Sequence, residues 1–160
     1  MSTATHPELC EHIVSVAKAR GALIAVAESV TGGLIAQQLT SVPGASQVFL
    51  AGVVAYSERM KCDLLGVDAL QMSHHGVVSE WTAAAMARGV LLATGASHAL
   101  ATTGVAGPGA ALGAAAGRVC LAVATADTLV TSSHDFAGNR DAVRAHAADA
   151  GLRALLDVLS

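Results

Sequence analysis

The sequence predicts an α/β fold, a mixed sheet with helices on both faces, and three observations carry that expectation. Short apolar runs rich in Val, Ile and Leu alternate with segments of helical periodicity, as in strands joined by helical crossovers. The last two strand-like runs, 118–125 and 129–136, are separated only by Ala126-Asp127-Thr128, too short for a helix. The composition is 53% apolar but 2% aromatic. A core of Ala, Val, Leu and Ile follows, and its alanines let helices lie close to a sheet.

Each element has its own warrant. Pro7 suits the first turn of a helix, Leu9, Ile13, Val16 and Ala17 follow at helical spacing, and Gly21 ends it. Residues 22–28 read as a strand buried on both faces. Residues 34–42 put Ile35, Leu39 and Val42 on one helical face before Pro43-Gly44. A second buried strand is expected over 48–56 and a short helix over 57–65, stopped by Gly66. Residues 68–78 read as irregular. Ser79-Glu80 opens an alanine-rich helix to about Thr94, and 98–103 form the third strand, leading into a loop with Gly104, Gly107, Pro108, Gly109 and Gly113. The runs 118–125 and 129–136 form an antiparallel hairpin. A last helix over 141–159 buries Leu152, Leu155, Leu156 and Leu159. Helical crossovers make strands one to three parallel, and strand four runs against strand three because no helix separates them. Residues 1–160 are read as one domain, without repeats or linkers.

Charge and composition narrow the function. A net charge of −3 with only nine Lys and Arg argues against a nucleic-acid partner. No run is apolar enough to span a bilayer, and residues 1–8 lack the start of a signal peptide, so the expected location is cytoplasmic. Cys10, Cys62 and Cys120 are far apart with no CxxC, which supports neither zinc nor disulfides, and Cys120 reads as a core residue. His74-His75 is a weak metal signal. The alanine-rich, weakly charged surface makes a homo-oligomer plausible.

The chemistry-bearing residues converge on one sheet edge. In open α/β sheets, ligands bind beyond the carboxyl ends of parallel strands. Strand one delivers Glu28, Ser29, Thr31 and Gly32. Strand two delivers Tyr56 and Ser57, with Lys61 on the next helix. Strand three delivers Thr102, Thr103 and the loop from Gly104 through Gly107 to Gly109. Ser29, at a strand-to-helix turn, is a candidate nucleophile beside free helix amides; Ser29 or Thr31 can equally be a simple cap. Lys61 can be its base if its pKa is lowered, or a solvated helix charge. No Ser/His/Asp set sits at these edges. The glycine loop can admit a phosphate or merely turn the chain; it is no P-loop, since no GK[ST] follows. Arg140 and Arg144 can contact an anionic ligand or solvent.

Taken in order, Ala27-Glu28-Ser29-x-Thr31-Gly32-Gly33, Val42-Pro43-Gly44, Gly52-Val53-Val54-x-Tyr56-Ser57-x-x-x-Lys61, Leu64-Leu65-Gly66-Val67, Gly76-Val77-Val78-Ser79-Glu80, Thr103-Gly104-Val105-Ala106-Gly107-Pro108-Gly109 and Gly138-x-Arg140-x-x-Val143-Arg144 resemble the CinA C-terminal domain family. The likeness runs from about residue 8 to 157. It implies a three-layer α/β/α sandwich with a mixed five-stranded sheet of order 2-1-3-4-5. It also implies hydrolysis of nicotinamide mononucleotide to nicotinic acid mononucleotide and ammonia, with a pyridine nucleotide as the small-molecule partner and neither metal nor cofactor. By the same resemblance Ser29 is the nucleophile and Lys61 its base. Thr31, Gly32 and Gly33 offer amides to the oxyanion or ligand, Tyr56 and Thr103 line the pocket, and 104–109 face the ribose phosphate. The chain departs from the family pattern at Val30, where Cys is usual. It departs again over 110–117, where polar residues and a Lys-Pro pair give way to Ala110-Ala111-Leu112-Gly113-Ala114-Ala115-Ala116-Gly117. Two other readings fit the sequence: a catalytically silent nucleotide-binding or assembly domain, and a serine amidase for another small carboxamide.

Overall fold

In the computed structural model, which describes residues 6–160, the chain runs α1 (His6–Arg20), β1 (Ile24–Glu28), α2 (Leu34–Thr40), a 3-10 turn (Ala45–Gln47), β2 (Phe49–Val54), α3 (Glu58–Leu65), α4 (Ala69–His75), α5 (Glu80–Thr94), β3 (His98–Gly104), β4 (Arg118–Ala124), β5 (Leu129–Asp135) and α6 (Arg140–Leu159). The five strands form one mixed sheet in the order β2-β1-β3-β4-β5. Strands β2, β1 and β3 are parallel, and β4 is antiparallel to both β3 and β5. The predicted fold class is observed.

The pleat of β1 divides the core. Ile24 and Val26 face one layer with Ile13, Ile35, Leu100, Leu152 and Leu155. Ala25 and Ala27 face the other, with Met86, Ala87 and Val90 of α5 and Leu65 of α3. Each large aliphatic chain so buried contributes about 1.5–3 kcal/mol. Cys120 is buried in this second cluster, as read from the sequence.

Three expectations are corrected. Residues 68–78 are not irregular: α4 lies within them, because the Asp68 side chain accepts the Gln71 amide at 2.8 Å and Met72 is buried under the turn. The second strand is not buried on both faces. It is an edge strand alternating between half-buried and exposed, and Leu50 is 44% exposed. Leu156 is only partly buried, since the inward stripe of α6 is Leu152, Leu155 and Leu159. Among the described residues no helix is long and apolar enough to cross a membrane.

The carboxyl ends of the parallel strands lie side by side, with β3 running two residues past the others to Gly104. Glu28 pairs in register with Val54 on one side and Thr102 on the other. The residues that follow each strand therefore meet at one edge.

Candidate active site

Ser29 leaves the end of β1 with its amide bonded to the Thr102 carbonyl at 3.0 Å. Glu28 and Ser29, as neighbours at a strand end, point to opposite faces. Glu28 turns toward α2, and Ser29 turns toward the α3 side, where Lys61 waits. The Lys61 ammonium nitrogen lies 2.9 Å from Ser29 Oγ and 3.1 Å from the Ala55 carbonyl oxygen. Lys61 is only 1% exposed, so the reading of it as a solvated charge is corrected. Ser57 places it there by capping α3: its hydroxyl accepts the Met60 amide at 3.2 Å. Burial drives the Lys61 pKa below its ordinary value, opposed by the nearby charge of Glu58 and by Cys62. A buried lysine with a lowered pKa is a base in waiting.

The turn after Ser29 is held from every side. Gly32 and Gly33 have φ of 60° and 98°, the left-handed region that glycine adopts without steric cost. Thr31 is fully buried, its hydroxyl 2.8 Å from the Thr102 hydroxyl. Arg144 donates to the Thr31 carbonyl at 3.0 Å and lies directly over Gly32. Glu28 accepts the amides of Gly33, Ile35 and Ala36 at 3.0, 3.1 and 2.8 Å.

These bonds revise several expected roles. The Gly33 amide is spent on Glu28 and the Gly32 amide on the Ser29 carbonyl, at 3.1 Å, so neither is open to an oxyanion. The N-terminus of α2 is already closed by the carboxyl group of Glu28 from β1. Thr103 does not line the cleft: it is buried and donates to the Val77 carbonyl at 2.9 Å. Arg144 serves the turn rather than a ligand. Sequence reasoning gave Glu28 no role, although a carboxylate six residues before a helix start was a visible signal.

A cleft of about 260 Å³ opens above Ser29, near the small end of ligand sites. Of the expected binding residues it collects Tyr56, Gly104, Gly107, Gly109 and Arg140. Arg140 bridges the mouth, donating to Tyr56 Oη at 2.7 Å and to the Gly107 carbonyl at 2.8 Å. Val30, Ala106, Pro108, Ala111 and Leu112 make the remaining wall apolar. The hairpin tip there, Leu112, has φ of 53° although it is not glycine. His74 and His75 lie apart from the cleft, with the His75 ring stacked on Trp81 at 5.0 Å. Among the described residues no group of three His, Cys, Asp or Glu could hold a metal ion.

This architecture matches known proteins over its whole length. The competence/damage inducible protein CihA of Agrobacterium tumefaciens superposes with a TM-score of 0.93 at 33% identity, covering 100% of both chains. The competence-damaged protein (CinA) superfamily protein of Enterobacter cloacae gives 0.96 at 30% identity, covering 100% of this chain and 95% of that one. A CinA-like protein of Chloroherpeton thalassium is 48% identical over 130 residues, which is 81% of this chain and 31% of the relative. The chain thus spans about a third of the length of the curated relatives it matches. Residues 6–159 match the model of the CinA C-terminal domain, and the chain belongs to that family.

Proposed function

We propose that the chain is an amidohydrolase that opens a small carboxamide through Ser29 and Lys61, with nicotinamide mononucleotide as the substrate its family resemblance favours. The observation that carries the reading is the 2.9 Å approach of a buried lysine amine to Ser29 Oγ at the floor of a cleft. In its neutral form Lys61 accepts the hydroxyl proton as Ser29 attacks the carboxamide carbon. The carbon–nitrogen bond then breaks, and the Lys61 ammonium returns the proton to the departing nitrogen, which leaves as ammonia. Water next attacks the serine ester, again giving a proton to Lys61. The acid is released as the proton returns to Ser29. The amides of Val30 and Thr31, next in the chain after the nucleophile, are the donors for the tetrahedral oxyanion, since the amides of Gly32 and Gly33 are engaged. Arg140, held over the mouth by Tyr56 and Gly107, meets the phosphate.

The apolar wall of Ala111 and Leu112 favours a second reading, a serine amidase for a carboxamide without a phosphate. One experiment tests both: ammonia release from nicotinamide mononucleotide, free nicotinamide and a panel of small carboxamides, with Ser29→Ala alongside. Turnover of the nucleotide, abolished by the substitution, is the expected result. Faster turnover of an unphosphorylated amide selects the second reading. Failure to release ammonia from any of them, with the protein folded, leaves a silent binding domain.

A further inference from the structure

We infer that Glu28 is a positioning residue for Ser29, an internal cap that fixes the nucleophile's turn from beneath; the inference rests on the Ser29–Lys61 reading. A carboxylate 1% exposed is costly unless its oxygens are saturated. Here they are saturated unusually: one side chain closes three amides at the start of α2, at Gly33, Ile35 and Ala36. Ordinary caps are the residue at the helix boundary itself and satisfy one amide or two. This one reaches forward from the last residue of β1, past Ser29 and the whole turn, and ties strand to helix directly. Gly33, at the α2 boundary, contributes no side-chain cap.

The tie has a consequence for the nucleophile. Ser29 sits between two anchored backbones, β1 behind it and α2 ahead of it. Its amide is bonded to Thr102 and its carbonyl to Gly32. With Glu28 in place the span 29–33 has its two ends fixed, and the Ser29 hydroxyl is delivered to Lys61. Without the carboxylate, three amides, that of Ile35 buried and those of Gly33 and Ala36 half-buried, lose their acceptor and the start of α2 shifts or frays. Because Glu28 points to the α2 face, the opposite face to Lys61, its effect runs through the position of Ser29. The base itself is left as it was.

The test reads the nucleophile without needing a substrate. A fluorophosphonate labels an activated serine: the Ser29 oxygen bonds to phosphorus, the phosphorus–fluorine bond breaks, fluoride leaves, and the serine proton passes to Lys61. Labelling rates across pH are measured for wild type, Ser29→Ala, Glu28→Gln and Glu28→Asp, with near-UV circular dichroism and thermal melting fixing the folded fraction. The expected result is a plateau rate per folded molecule about 10²-fold lower in Glu28→Gln, since displacements near 1 Å cost that much. The pH midpoint stays at the wild-type value. Glu28→Asp, which retracts the charge by one methylene, is expected to slow labelling about tenfold, and it carries the test if Glu28→Gln does not fold. Folded variants labelling within about threefold of wild type, or slowed only through a moved midpoint, overturn the role of Glu28. A wild type that does not label overturns the Ser29–Lys61 reading, and the role of Glu28 with it.

Discussion

At the scale of the residue, the proposed base Lys61 carries a cost. Its folded pKa is lowered by burial from 10.5, so the unfolded chain binds the extra proton between the two values. Stability therefore rises with pH across that window and is lowest below the folded pKa. Turnover has the same sign, since only the neutral amine accepts the Ser29 proton. Lys61→Arg is expected to lose about 10³-fold or more in kcat, because a guanidinium stays protonated. Substantial kcat in that variant would eliminate the serine–lysine mechanism. Lys61→Met is expected to be equally inactive yet about 1 kcal/mol more stable at pH 7, with the gain in melting temperature shrinking as pH approaches 10.5. A loss of stability at pH 7 would show that the bonds to Ser29 and Ala55 outweigh the burial of the amine. The sequence exposed Ser29 and Lys61 as candidates through their place after β1 and β2. It could not show that the one lysine of this short helix turns inward, because that depends on where α5 lies behind α3. Nor could it separate Thr31 and Thr103 from residues that face the cleft: hydroxyls at a strand end look alike until their partners, Thr102 and Val77, are in view.

At the scale of the element, the site depends on how closely α3 approaches α5. Gly89 sits in the middle of α5, where glycine costs helix stability. The structure supplies the reason: a Cβ there would lie 2.0 Å from the Leu65 carbonyl oxygen at the end of α3. Backbone meets backbone, so nothing flexible can yield. Gly89→Ala is expected to destabilise the fold by about 1–3 kcal/mol and to lower kcat by pushing away the helix that carries Lys61. Denaturant unfolding beside single-substrate kinetics checks both. A variant as stable and active as wild type would mean that the two helices slide at no cost. The elements themselves were legible wherever their pattern was long, as in α5, α6 and the three central strands. The seven-residue α4 escaped because it is short, polar and ends in His74-His75, leaving the Asp68 cap as its only sequence signal. Strand β2 reads as buried because Phe49-Leu50-Ala51-Gly52-Val53-Val54 is apolar throughout. Edge position is a property of the sheet order, which no single strand encodes.

At the scale of the whole molecule, chemistry and recognition come from different layers. The proposed nucleophile and base, Ser29 at the end of β1 and Lys61 on α3, lie within the packed body. The mouth of the cleft is closed by Arg140, the first residue of the last helix, reaching Tyr56, 84 residues earlier in the chain, and Gly107, 33 residues earlier. Asn139 sets that residue's direction by accepting the Ala142 amide at 3.0 Å. Because Arg140 is exposed and contacts neither Ser29 nor Lys61, removing it leaves the reacting atoms in place. Arg140→Ala is therefore expected to raise KM for nicotinamide mononucleotide about tenfold while kcat stays within about threefold, the signature of lost uniform binding. Free nicotinamide, which has no phosphate to lose, is expected to turn over equally in both proteins. High salt is expected to weaken the wild type toward the variant on the nucleotide alone, since the contact is an exposed charge pair. A fall in kcat on both substrates would instead place Arg140 in the chemistry. An unchanged KM for the nucleotide would leave the apolar wall of Ala111 and Leu112 as the surface that meets the distal part of the ligand, and an uncharged carboxamide as the better substrate.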